Sequence, residues 1–61
     1  MWYIIKRESD NKYLSELTLT HYDDVVWSDE IQEARKLRQN LCDAFTRKFK
    51  NDVFLIIEVE Q

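Results

Sequence analysis

The feature that most constrains this chain is a regular spacing of apolar residues between positions 28 and 51. Within this segment apolar side chains recur every three or four residues, at Ile31, Ala34, Leu37, Leu41, Ala44, Phe45 and Phe49. At about 100° per residue of an α-helix they share an arc of roughly 160°, with Cys42 at its edge. The spacing predicts one long amphipathic helix over residues 28–51, against whose apolar side the rest of the chain must pack.

The ends of this segment also fit a helix. Ser28 is a candidate N-cap, and Asp29 is the competing one, because Gln32 three residues later would complete a capping box. Acidic residues occupy the predicted first turns and basic residues the last, as the helix macrodipole favours. Asn51 is the expected left-handed residue at the end of the helix.

The segments on either side of the predicted helix have the composition of β-strands. Residues 2–7, 13–20 and 53–59 are rich in aromatic and β-branched side chains. Between the first two, residues 9–12 predict a hairpin turn, since Asp and Asn tolerate the left-handed backbone in a chain that has no glycine or proline. Residues 21–24 interrupt the strand pattern. We expect residues 25–27 to form either a short extra strand or an apolar contact beneath the start of the helix.

These elements predict a single α+β domain over residues 1–61. Its order is ββαβ, with an antiparallel sheet in the strand order 2-1-3 and the helix on one face. One face of the last strand carries Val53, Leu55, Ile57 and Val59, which we expect to face the helix. Phe54 and Ile56 then face away, beside either Trp2 and Ile4 or Tyr3 and Ile5. Such an outward patch predicts self-association as a homodimer, or burial by a host partner.

Length, charge and cysteine content limit the kinds of function that we expect for this chain. Sixty-one residues with one cysteine allow one small domain without an internal disulfide. Met1 is followed at once by a predicted strand that carries Lys6 and Arg7, so we expect no signal peptide or membrane span and a cytoplasmic location. The net charge is −3, and the basic residues of the helix point in different directions. We therefore expect no direct nucleic-acid binding.

The sequence holds no constellation typical of an enzyme. His21 is the only histidine and Cys42 the only cysteine, and they lie far apart in the chain. We interpret them as a loop histidine and a small, half-buried structural thiol. An acidic run precedes and opens the predicted helix, but residues 25–27 interrupt it in a way that no EF-hand loop tolerates. We expect no catalytic activity, no metal and no cofactor.

Two sets of charged residues are candidate partner contacts. Asp23, Asp24 and Glu30 belong to the acidic run, which either favours the helix N-terminus or docks on a basic partner surface. Arg38 falls inside the predicted apolar arc. It either covers the edge of the core with its aliphatic stem or faces a partner, where arginine is often a binding hot spot.

Three short stretches resemble small bacteriophage-encoded ββαβ proteins: Tyr3-Ile4-Ile5-Lys6, Lys12-Tyr13-Leu14-Ser15 and Trp27-Ser28-Asp29-Glu30-Ile31-Gln32-Glu33-Ala34. The resemblance spans about the first two-thirds of the chain, although the usual hairpin glycine is missing. It implies a protein that binds and blocks a host protein, such as a CRISPR or other defence system. An oligomeric module that sequesters a small nucleotide signal is the alternative.

Overall fold

A computed structural model describes the backbone of residues 1–18 and 21–60, and the side chains of these residues except 17, 18 and 21–24. The elements in chain order are β1 (Trp2–Arg7), β2 (Lys12–Thr18), β3 (His21–Ser28), a 3₁₀ turn (Ile31–Glu33), α1 (Gln39–Lys48) and β4 (Phe54–Val59). The strands form one antiparallel sheet, and α1 packs on one of its faces. The predicted α+β class is confirmed.

The sheet has the order β3-β2-β1-β4. The predicted order of the three main strands is therefore kept, and β3 is added outside β2. Residues 25–27 are part of this fourth strand, which already begins at His21. The predicted interruption at residues 21–24 is wrong, because backbone pairing with β2 across two register shifts extends the strand despite its aspartates.

The first hairpin agrees with the sequence. Asn11 has a φ of 57° and is the one non-glycine residue with positive φ in the part of the chain that the structure describes. Asp10 supports the turn, since its Oδ1 accepts a hydrogen bond from the Lys12 N–H at 3.3 Å. In a chain without glycine, an asparagine thus adopts the left-handed conformation, which is costly for most other residues.

The long helix predicted over residues 28–51 is wrong in its first half. Only Gln39–Lys48 is α-helical, a 3₁₀ turn occupies Ile31–Glu33, and the chain between them is extended. Ile31, the first residue of the predicted apolar arc, is 54% exposed. Arg38 is the N-cap, without a side-chain hydrogen bond.

Pairing with the sheet explains the extended segment. β1 and β2 pair only next to their turn, at Lys6–Tyr13 and Arg7–Lys12. Farther along, Leu37 exchanges two backbone hydrogen bonds with Tyr3 and forms an isolated antiparallel bridge. The Arg35 N–H donates to the Leu14 carbonyl at 2.8 Å. The segment thus satisfies backbone groups of both strands, a requirement that outweighs local helix propensity.

The predicted helix caps change their role accordingly. Ser28 ends β3, and its Oγ accepts a hydrogen bond from the Glu30 N–H at 3.1 Å and donates one to Glu33. It therefore fixes the 3₁₀ turn instead of capping α1, whose first turn holds no acidic residue. Asn51 does not adopt the left-handed conformation. The basic residues predicted for the last turn are confirmed at Arg47 and Lys48.

The core lies between α1 and one face of the sheet. Its buried residues are Ile5, Leu14, Leu37, Cys42 and Phe45. Phe54 and Trp27 stack with centroids 6.0 Å apart, and Phe45 meets both rings edge-on. These aromatic side chains supply much of the burial that so small a domain can reach.

Candidate protein-interaction surface

The sheet face opposite α1 is apolar at its centre. Because Ile5 and Phe54 point into the core, alternation along the strands places their neighbours on the opposite side. Antiparallel pairing sets these neighbours directly across from one another, as Trp2–Val59, Ile4–Ile57 and Lys6–Leu55. We call these six residues the outer face.

Burial on the outer face is uneven. Ile4 is only 3% exposed, although it does not belong to the core cluster under the helix. Ile4 therefore adds little to the exposed area of the outer face. Leu55, by contrast, is 47% exposed. The described residues place no helix over this side, and its apolar side chains lie on two neighbouring strands.

A cation lies on an aromatic ring at each end of the outer face. At one end the Arg38 guanidinium carbon is 4.2 Å from the centroid of the Trp2 ring. At the other end the Lys6 Nζ is 5.6 Å from the centroid of the Tyr13 ring. These contacts hold the two rings beside the apolar centre. Aromatic and arginine side chains around an apolar centre are the composition typical of protein–protein interfaces.

An open groove adjoins the Arg38 end of the outer face. It has a volume of about 590 Å³ and is lined by Met1, Trp2, Arg38, Glu58, Val59 and Glu60. The lining thus combines the basic residue Arg38 with the acidic residues Glu58 and Glu60. The groove extends the outer face around the end of β1 and β4, and its mixed charge suits a peptide better than an anion.

The predicted orientation of β4 is wrong. Phe54 packs against the core rings of Trp27 and Phe45, so it faces α1, and Ile56 shares that side because it pairs with Ile5. Leu55, Ile57 and Val59 consequently face away. The sequence of β4 does not indicate which side faces α1, because the residues on both sides of the strand are apolar. The packing of the Phe54 ring into the aromatic cluster determines the orientation.

The predicted partner residues are dispersed. Arg38 is exposed and stacks on Trp2, so its guanidinium lies on an aromatic ring of the outer face. Glu30 is exposed beside the 3₁₀ turn, where its carbonyl accepts a hydrogen bond from Glu33. Asp23 and Asp24 lie on β3, and their side chains fall outside the described residues. Partner binding by these residues stays a prediction.

Cys42 is fully buried in the core, not half-buried as predicted. Burial raises the pKa of its thiol, and the carboxylate of Asp43 raises that pKa further. A thiol held neutral is a poor nucleophile. The side chain of His21 falls outside the described residues.

One interaction was not predicted from sequence. The Arg7 guanidinium carbon lies 4.2 Å from the Trp27 ring centroid, and Arg7 also forms a bidentate salt bridge with Asp10 in the hairpin turn. This hydrogen bonding raises the pKa of Arg7 and lowers the pKa of Asp10. The spacing of three residues between Arg7 and Asp10 was the available signal.

Among the side chains that the structure describes, no group of three or more His, Cys, Asp or Glu residues is placed to hold a metal ion. Within residues 1–18 and 21–60 no helix is long and apolar enough to cross a membrane. Comparisons with protein families, with curated proteins and with solved structures found no match.

Proposed function

We propose that this chain is a small interaction protein that binds a host protein through the outer face and inhibits or modulates it. The observation that carries the proposal is the apolar outer face, where Leu55, Ile57 and Val59 adjoin on the side of the sheet over which the described residues place no helix. Monomers seldom leave such a surface uncovered, because its burial contributes about 25 cal/mol per Å².

The partner follows from the chemistry of this surface. Lys6 and Arg38 border the apolar centre, and none of the six outer-face residues is acidic, although the chain as a whole is. A partner with an apolar centre and acidic rim therefore fits best. The resemblance to phage proteins supports a host protein, including one of a defence system, and the cytoplasm as the place of action. The proposal assigns the chain no catalytic step and no cofactor.

The experiment is affinity capture with the tagged chain from bacterial host lysate, followed by quantitative mass spectrometry. The proposal expects one host protein in near-stoichiometric amount, which forms a complex with the chain when both are purified and changes activity on binding. Recovery of no protein would contradict it. Nucleotide absorbance in the purified chain would instead support the sequestering module.

A further inference from the structure

The edge of β4 that faces away from β1 carries a row of backbone groups that no described residue pairs. The carbonyl of Val53 accepts from Glu8 on the β1 side, whereas Tyr3 directs both its groups away from β4 to Leu37. Alternation then points the N–H and C=O of Phe54, Ile56 and Glu58 away from β1. The described residues offer these groups no hydrogen-bond partner.

This edge has few of the features that keep sheet edges apart. Proteins protect edges with charged side chains, especially lysine, and with proline, bulges or an overlying segment. β4 carries one charged residue, Glu58 near its end, no lysine or proline, and its register against β1 runs without a shift. The opposite edge, β3, pairs through two register shifts and carries Asp23 and Asp24. Of the two edges among the described strands, β4 is therefore the more open to strand addition.

Several apolar side chains are exposed along the same edge. Val53 is 65% exposed, Ile56 is 39% exposed, and Leu55 adds to them on the outer face. The two sides of the strand are therefore both apolar and both accessible. A strand added at this edge would bury side chains above and below the sheet.

We infer that two copies of this chain pair through β4 and join their sheets into one continuous antiparallel sheet. A two-fold axis at Ile56 sets Ile56 against its copy and Phe54 against Glu58, which yields about six backbone hydrogen bonds. In this register the outer-face side chains are complementary. Leu55 opposes Ile57 of the second copy, and Val53 opposes Val59.

The dimer is independent of the proposed function, because it uses the edge and leaves the outer face open. It places the outer faces of both copies side by side, so that one dimer presents two equivalent binding surfaces. A partner that instead inserts its own strand at β4 would leave the isolated chain monomeric.

The first test is sedimentation equilibrium of the purified chain at high micromolar concentration. We expect a dimer, which Ile56→Lys converts to a monomer by placing a charge at the axis. Ile31→Lys is the matched control, since Ile31 is also exposed but lies in the 3₁₀ turn. A monomeric wild type, or a folded Ile56→Lys variant that remains dimeric, would overturn the inference.

Disulfide trapping gives a second test that needs no disruptive charge. Leu55→Cys and Ile57→Cys chains are oxidised separately and as a mixture, with the buried Cys42 left in place. Opposed residues of a non-hydrogen-bonded pair lie within disulfide reach, whereas residues offset by two positions are about 7–8 Å apart.

The inferred register predicts about tenfold more cross-linked dimer in the mixture than in either sample alone. Efficient cross-linking of either variant with itself would overturn it, as would the absence of cross-linking in all three samples. A wild-type chain that is monomeric but still binds the host protein would refute this inference and leave the proposed function intact.

Discussion

Tyr3 and Leu37 exchange two backbone hydrogen bonds, of 2.8 Å from the Tyr3 N–H and 2.7 Å from the Leu37 N–H. This pairing joins residues far apart in the chain and stops the helix pattern at Arg38. It also carries Leu37 into the core next to Phe45. The segment that looks most helical in the sequence is therefore extended over part of its length and joined to β1 by an isolated bridge.

Proline substitution distinguishes the extended segment from a helix. The Lys36 N–H donates no hydrogen bond among the described residues, and Lys36 is exposed. We expect Lys36→Pro to change the free energy of unfolding by less than about 1 kcal/mol, whereas Thr46→Pro inside α1 should cost about 3 kcal/mol or more. Urea unfolding of both variants measures the difference. Equal losses would mean that the helix extends through residue 36.

Leu37 and Ile31 occupy similar positions in the sequence pattern but not in the structure. Leu37 is buried, so Leu37→Ala should lower the free energy of unfolding by about 2–4 kcal/mol. Ile31→Ala should change it by about 0.5 kcal/mol at most. The comparison again uses urea unfolding, and a large loss for Ile31→Ala would contradict the placement of the 3₁₀ turn.

The observed fold agrees with the sequence-based prediction where local chemistry determines the structure. The hairpin follows from local chemistry, because the turn at Asn11 and its flanking strands depend on neighbouring residues. The Tyr3–Leu37 pairing depends on where β1 and β2 separate. The spacing of residues within a single segment of the sequence cannot predict that position. The faces of β4 depend on how the rings of Phe54 and Phe45 fit, since both sides of that strand are apolar.

The candidate surface could be predicted only in part. One helix covers only one face of a small sheet, so the sequence predicts that the other face is left uncovered. Its residues do not follow, because a change of one position along β4 exchanges Phe54 and Ile56 for Leu55 and Ile57. The stacking of Arg38 on Trp2 depends on the extended segment and could not be found from helical spacing.

Burial of Cys42 makes stability depend on pH. The pKa of its thiol is raised above the ordinary value of 9.0 in the folded chain, so the unfolded chain loses the proton first. The stabilising contribution is complete below pH 9.0 and is lost as pH rises through the folded pKa. We expect the free energy of unfolding to fall there by at most about 1.4 kcal/mol per pH unit.

Urea unfolding from pH 8 to 11 measures this contribution as the difference between wild type and Cys42→Ala. The variant should show a shallower decline, because its other titrating groups are the same. Parallel curves would mean that the thiol titrates alike in both states. Slow alkylation of native Cys42, accelerated by denaturant, provides an independent check.

The acidic residues of β3 and the 3₁₀ turn offer a separate test of partner contact. If Asp23, Asp24 and Glu30 dock on a basic surface, association with the captured host protein should slow as salt rises, because salt screens exposed charges from each other beyond about 8–10 Å near physiological ionic strength. Charge reversal of Asp23 and Asp24 to Lys should weaken binding without loss of the fold. If neither added salt nor charge reversal changes the affinity, these acidic residues have only structural roles.

The most direct measurement of the central claim is the affinity of the captured host protein for two charge variants of the chain. Leu55→Glu places a carboxylate on the exposed part of the outer face, and Ile31→Glu places one on an equally apolar, exposed site in the 3₁₀ turn. Both must first keep the circular dichroism spectrum of the wild type. We predict that Leu55→Glu raises Kd about thirtyfold or more, equivalent to about 2 kcal/mol, while Ile31→Glu leaves it unchanged. Equal affinity of the two variants and the wild type would contradict binding through the outer face.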